Sequence, residues 1–269
     1  MLVVGERINS TRKLIRPAVE ARDVAAITNE ATMQVAAGAT YLDCNAATVG
    51  VDKEPEFLAW LVETVQSVTD KTPCALDSPN AKAIEAALAV HDSTNGVPMI
   101  NSISAEKEKF EAILPLVRDS GAKVVALVMD DSGIPKTAEA RISIGRKLVG
   151  DLVKGGVSAE NIYVDPLVFP IGAEADAGKA VLETITTLKT EFEHIHFVCG
   201  LSNVSYGLPN RKLLNQAVMV LTMGAGLDAV IVDPTDAKLM SLVYASEALL
   251  GRDEFCATYI QMARAEKLE

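Results

Sequence analysis

The chain repeats one unit eight times, a short apolar run followed by an amphipathic stretch. The apolar runs fall at 2–4, 40–44, 73–77, 98–100, 123–128, 161–165, 195–199 and 228–232. Helical periodicity follows each, over about 17–37, 54–70, 80–90, 105–120, 138–155, 176–191, 210–225 and 236–250, with a last amphipathic piece near 253–265. Alternating strands and helices pack as a parallel sheet covered by helices, and eight such units close into a (β/α)8 barrel. The 269 residues suit this fold, which commonly needs about 250. An open doubly wound sheet carries a Gly-rich phosphate loop after its first strand. Here that strand leads into Gly5-Glu6-Arg7-Ile8-Asn9-Ser10 instead. No low-complexity tract or Pro/Ser-rich linker interrupts the pattern, so residues 1–269 read as one domain. Apolar residues make up 49% and aromatics 4%, so small aliphatic side chains are expected to fill the interior.

Composition excludes several classes of function. The net charge of -11 argues against nucleic acid, whose phosphates select a basic footprint. No apolar run approaches the roughly 18 residues that span a bilayer, and the N-terminus has neither the basic start nor the apolar length of a signal peptide. The chain therefore reads as cytoplasmic. Cys44, Cys74, Cys199 and Cys256 form no C-x-x-C pair, so neither a disulfide framework nor a zinc site is expected. His194 and His196 open the seventh strand and His91 follows the third helix. These are the wrong end of a barrel for catalysis, and no metal is assigned.

Polar residues gather where the strands end. Glu6, Arg7 and Asn9 follow the first; Asp43 and Asn45 close the second, Asp77 the third, Asn101 the fourth; Asp130 and Asp131 follow the fifth; Asp165 closes the sixth; Ser202 and Asn203 follow the seventh and Asp233 the eighth. In this fold the C-terminal strand ends form the active site. Asp and Asn also cap helices and form turns, but the uniform polar ring as a whole reads as a binding site. It contains no H-E-x-x-H, G-x-S-x-G or G-x-x-x-x-G-K-[ST] signature. Carboxylates and amides suit a flat heterocycle instead. The N–H and NH2 edge of a 2-amino-4-oxo pterin can give two bonds to one carboxylate, and its other ring atoms accept from an Asn amide.

On these residues the chain resembles a known family. Gly5-Glu6-Arg7-Ile8-Asn9, Leu76-Asp77-Ser78, Ile100-Asn101-Ser102, Asp165-Pro166-Leu167, Gly200-Leu201-Ser202-Asn203-Val204-Ser205 and Asn210-Arg211 occur in order. They are similar to the motifs of methyltetrahydrofolate:corrinoid protein methyltransferases and of the folate module of cobalamin-dependent methionine synthase. The resemblance implies a pterin-binding (β/α)8 TIM barrel that moves a methyl group between N5 of tetrahydrofolate and a corrinoid carried by a separate protein. It also implies a homodimer. It assigns the pterin ring to Asp77, Asn101 and Asp165, with Gly200, Ser202 and Arg211 beside the substrate. Asn203 is assigned to N5, and Glu6, Asn9, Asp43 and Asn45 to support. Tyr206 departs from the polar amide of the acetogen-type enzymes.

The implied reaction is an SN2 displacement in which Asn203 donates a hydrogen bond that strengthens as charge changes at N5. An amide cannot supply the N5 proton, which is expected from water or from one of the ring carboxylic acids. Two alternatives differ in class. A dihydropteroate synthase needs an anion site near the last strands, whereas Asp233-Pro234-Thr235-Asp236 repels a diphosphate. A non-catalytic folate-binding module keeps the site without the reaction. No Asp-x-His-x-x-Gly motif for base-off cobalamin occurs, so the corrinoid is expected on the partner.

Overall fold

The computed structural model describes residues 1–269. Eight strands alternate with helices: β1 (Leu2–Asn9), β2 (Tyr41–Asn45), β3 (Cys74–Asp77), β4 (Met99–Ser104), β5 (Lys123–Leu127), β6 (Ile162–Asp165), β7 (His196–Phe197) and β8 (Ala229–Val232). They pair in parallel in the order β7-β6-β5-β4-β3-β2-β1-β8. A parallel bridge between Gly200 and Ile231, with the Ile231 amide donating to the Cys199 carbonyl at 3.1 Å, joins β8 to the end of β7. The result is a TIM barrel. No helix is long and apolar enough to cross a membrane.

The boundaries differ from the sequence expectation most in the first unit, while β4 runs on past 98–100 to Ser104 and β7 keeps only His196–Phe197 of 195–199. The stretch 17–37 is two helices, Arg16–Glu20 and Val24–Ala36. Arg22 takes a left-handed φ of 51° between them, and Asp23 caps the second by accepting from the Ala26 amide at 3.1 Å. The first strand also runs on to Asn9, so Glu6 and Arg7 lie within it and not beyond it.

The strand pleat divides the apolar residues into two cores. The larger lies between sheet and helices and contains Ile8, Leu42, Cys44, Leu76, Ile100, Val124, Val164 and Phe197. The smaller fills the barrel: Val4, Tyr41, Ala75, Met99, Val125, Tyr163, Val198 and Ala229, one from each strand or its direct continuation. Two residues further along each strand the pleat returns to the interior. The next layer therefore reads Glu6, Asp43, Asp77, Asn101, Leu127, Asp165, Gly200 and Ile231. The lower layer is aliphatic and aromatic, whereas the upper layer is mostly carboxylate and amide.

Candidate functional site

Two register shifts shape the mouth of the barrel. β1 slips against β2 between Gly5 and Ile8, and β4 against β5 between Asn101 and Ile103. Such bulges re-aim side chains beside active sites. In β1 the slip brings both Glu6 and Asn9 to the interior, while Ile8 is buried in the outer core. Gly5 is needed at this point: a Cβ there would lie 2.4 Å from Gln34 Oε1. That oxygen accepts from the Arg7 amide at 3.0 Å and so satisfies the backbone at the slip.

Asp43 and Asp77 lie beside each other on neighbouring strands. Burial and the neighbouring Asp77 charge drive Asp43 well above the usual carboxylate range. Burial pushes Asp77 up to about 6, against the amides of Asn45 and Asn9. Asn45 Nδ2 donates to Asp77 Oδ2 at 3.0 Å, Asn9 Nδ2 to the same oxygen at 3.3 Å, and Asn101 Nδ2 to Asp43 Oδ1 at 3.2 Å. Two carboxylates this close resist being charged together in a buried site, so the pair shares one proton near neutral pH. Asp77 is then the member free to accept from an N–H edge.

Asp165 stands across the barrel at the end of β6 and is 8% exposed. Burial pushes it up to about 7, against the Leu167 amide, which donates to its Oδ1 at 2.8 Å. Leu167 makes that bond from a left-handed φ of 62°, a conformation a branched side chain adopts only when its surroundings enforce it. Asp165, Leu167, Phe169, Gly200, Asn203 and Tyr206 line a cleft of about 320 Å³. Gly200 leaves its floor open: a Cβ there would meet nothing nearer than Asn203 Nδ2, at 3.9 Å.

The remaining residues of the ring separate by task. Ser202 and Asn203 lie on the 3-10 turn Leu201–Ser205. Arg211 fastens this turn, donating to the Ser202 carbonyl at 2.6 Å and to Ser205 Oγ at 3.0 Å. Ser202 Oγ donates to Glu6 Oε2 at 3.4 Å. Burial raises Glu6 above its ordinary value, opposed by the Arg12 charge. Asp130 and Asp131 take structural roles. Asp130 accepts from the Ser132 amide at 2.9 Å, and Asp131 receives the Lys107 amide at 3.3 Å at the start of a helix. Asp233 bonds Arg7 Nη1 at 2.8 Å, and Arg7 Nε reaches Glu30 at 2.7 Å, tying β1 to β8. His196 stacks on Tyr163 at 4.6 Å and sits 2.9 Å from Asp228 at the opposite end of the barrel.

Sequence reasoning passed over Glu54. It is 3% exposed and accepts from Ser78 Oγ at 2.6 Å and from Asn80 Nδ2 at 3.3 Å, anchoring the loop after β3. The Ser78-x-Asn80 pair beside Asp77 was its only sequence signal.

Comparison with known proteins agrees with this geometry. Residues 5–233 match the family model described as pterin binding enzyme. A methylcorrinoid:tetrahydrofolate methyltransferase from Eubacterium limosum is 33% identical over 270 residues, covering 100% of this chain and 98% of that protein. Methionine synthase from Mycobacterium tuberculosis is 32% identical over 86% of this chain, which spans 20% of that protein's length. A dihydropteroate synthase structure from Yersinia pestis superposes with a TM-score of 0.69 over 93% of each chain at 17% identity, a likeness of fold.

Proposed function

Because the chain belongs to the pterin-binding enzyme family, we propose that it is a methyltransferase acting between N5 of tetrahydrofolate and a corrinoid held by a separate protein. The observation that carries this reading is the upper interior layer. Asp43, Asp77, Asn101 and Asp165 project from one level of the barrel beside an open glycine floor, which fits a flat ring with a hydrogen-bonding edge. Asp77 and Asp165 are the carboxylates for the N–H edge, and Asn101, held by Asp43, supplies an amide to the ring. Gly200, Ser202 and Arg211 shape the adjoining wall. Glu6, Asn9, Asp43 and Asn45 hold these groups in place. The whole chain, 1–269, is taken as one pterin-binding domain.

The substrate is tetrahydrofolate or its 5-methyl form. When methyl leaves N5, the N–CH3 bond breaks, its electron pair stays on nitrogen, and N5 ends protonated. The corrinoid supplies the reduced cobalt that takes the methyl group. Asn203, beside the glycine floor, donates a hydrogen bond to N5 that strengthens along the reaction. The Asp43–Asp77 pair, with its shared proton, is the nearby acid from which a proton reaches N5 through water. The reverse transfer uses the same groups.

Large apolar side chains exposed on the helices Arg211–Ala225 and Ala237–Leu249 and just beyond them, Leu221, Leu249 and Phe255, support a homodimer. Four free cysteines, three of them buried, suit the reducing cytoplasm.

The test mixes purified protein, 5-methyltetrahydrofolate and free cob(I)alamin and follows the cobalamin spectrum. Loss of the cob(I)alamin signal supports the reading. Binding without transfer identifies a folate-binding module. Condensation of a pterin diphosphate with 4-aminobenzoate identifies a dihydropteroate synthase. Cobalt that stays stoichiometric with the chain through gel filtration contradicts a corrinoid supplied in trans.

A further inference from the structure

The helix Ala138–Lys154 turns Arg141, Ile142, Gly145, Leu148, Val149 and Leu152 inward. The first residue of this otherwise apolar stripe is an arginine that is completely buried. Its Nε donates to the Pro135 carbonyl at 3.2 Å, while Nη1 and Nη2 have no hydrogen-bond partner. No carboxylate lies within ion-pair distance. Thr137 caps this helix by accepting from the Ala140 amide at 3.2 Å, so the cation also sits in the first turn, at the positive end of the helix dipole. A buried, unpaired guanidinium there is strongly unfavourable for folding, and a position in an apolar stripe is easily filled by Leu or Met. Such a group calls for a reason other than stability.

Its surroundings supply one. The guanidinium lies 5.6 Å from the centroid of the Phe169 ring. Pro135 belongs to the loop after β5, and Phe169 to the loop after β6. Phe169 and Asp165 both line the cleft beside Gly200 and Asn203. We propose that Arg141 is a positioning residue for pterin recognition, its buried guanidinium joining the β5 and β6 loops and placing a fixed positive charge behind the Asp165 wall of the cleft. The proposal rests on the pterin reading above. The charged and titratable groups facing Asp165 and Arg141 are each other, Glu174 and the Cys199 thiol. Cys199 is driven well above its ordinary value by burial and stays neutral. After the Leu167 amide, Arg141 is therefore the one cation that opposes the effect of burial on Asp165.

The test is calorimetric titration with 5-methyltetrahydrofolate across pH 5.5–9, on wild-type protein, Arg141→Met and Arg141→Gln. Methionine keeps the bulk and removes the charge. Removing the cation raises the Asp165 pKa, so the anionic form appears only at higher pH. A rise of about one pKa unit should weaken binding by Arg141→Met about fivefold at pH 7 and about tenfold at pH 6 and below. At pH 9 it should match wild type, so the pH midpoint of binding moves up. Arg141→Gln keeps a donor for Pro135 without the charge, and gives the same reading should Arg141→Met fail to fold. Adding Asp165→Asn to either variant should abolish the shift. An unchanged midpoint, or an equal loss at every pH, overturns the role of Arg141 while leaving pterin binding intact. Wild-type protein that does not bind 5-methyltetrahydrofolate at any pH overturns the pterin reading itself.

Discussion

The two interior layers of the barrel stand on the same strands, one pleat apart, yet they follow opposite rules. Val4, Tyr41, Ala75, Met99, Val125, Tyr163, Val198 and Ala229 close the lower layer as packed apolar core. The layer above buries Asp43 and Asp165 and much of Glu6 and Asp77 in the same low-dielectric interior. Folding favours the first and is penalised by the second. A costly polar layer at the mouth over a rigid apolar one is the arrangement that the proposed ligand site requires.

The largest expected effect contrasts the layers directly. Met99→Ala should cost about 2–5 kcal/mol of stability through the cavity it leaves. Asn101→Ala, two residues along the same strand, should cost far less in urea unfolding and show its loss in pterin affinity instead. Equal destabilisation by the two would erase the distinction.

Next in size is Asn203→Ala. If its hydrogen bond to N5 strengthens in the transition state, single-turnover methyl transfer should slow by roughly a hundredfold, with a smaller loss in binding. Normal rates would remove Asn203 from the mechanism.

A smaller effect sharpens the comparison through pH. Asp165 is pushed up to about 7 in the folded chain, against an unfolded value of about 3.9. The native state thus binds this proton more tightly. The resulting stability is fully present below about pH 4 and is lost as pH rises through about 7. Asp165→Asn should cancel that loss, so its stability advantage over wild type should be roughly 2–3 kcal/mol larger at pH 8 than at pH 5. Urea unfolding at the two pH values reads this; an advantage that does not grow from pH 5 to pH 8 would contradict it.

Much of this contrast was legible in the sequence, and the misses have physical causes. Eight apolar runs gave the strand order, and Asp43, Asp77, Asn101 and Asp165 close their runs where the pleat turns them inward. Glu6 and Asn9 were visible as polar residues, but strict alternation cannot bring both inside. That depends on the slip in β1, which is set by pairing with β2. Asp130, Asp131 and Asp233 read like members of the ring because a turn-forming or ion-paired aspartate looks the same in one dimension. The shared proton of Asp43 and Asp77 depends on neighbouring strands in register. Arg141 sits in an amphipathic helix where an arginine reads as surface, and only packing of the β5 and β6 loops over it reveals an unpaired buried cation.

The central claim is that the polar layer is a pterin site, and calorimetric titration with 5-methyltetrahydrofolate tests it most directly. Wild type should bind, and Asp77→Ala and Asp165→Ala should each lose about 2–5 kcal/mol of binding free energy while still unfolding cooperatively. Unchanged affinity in both variants would contradict the account.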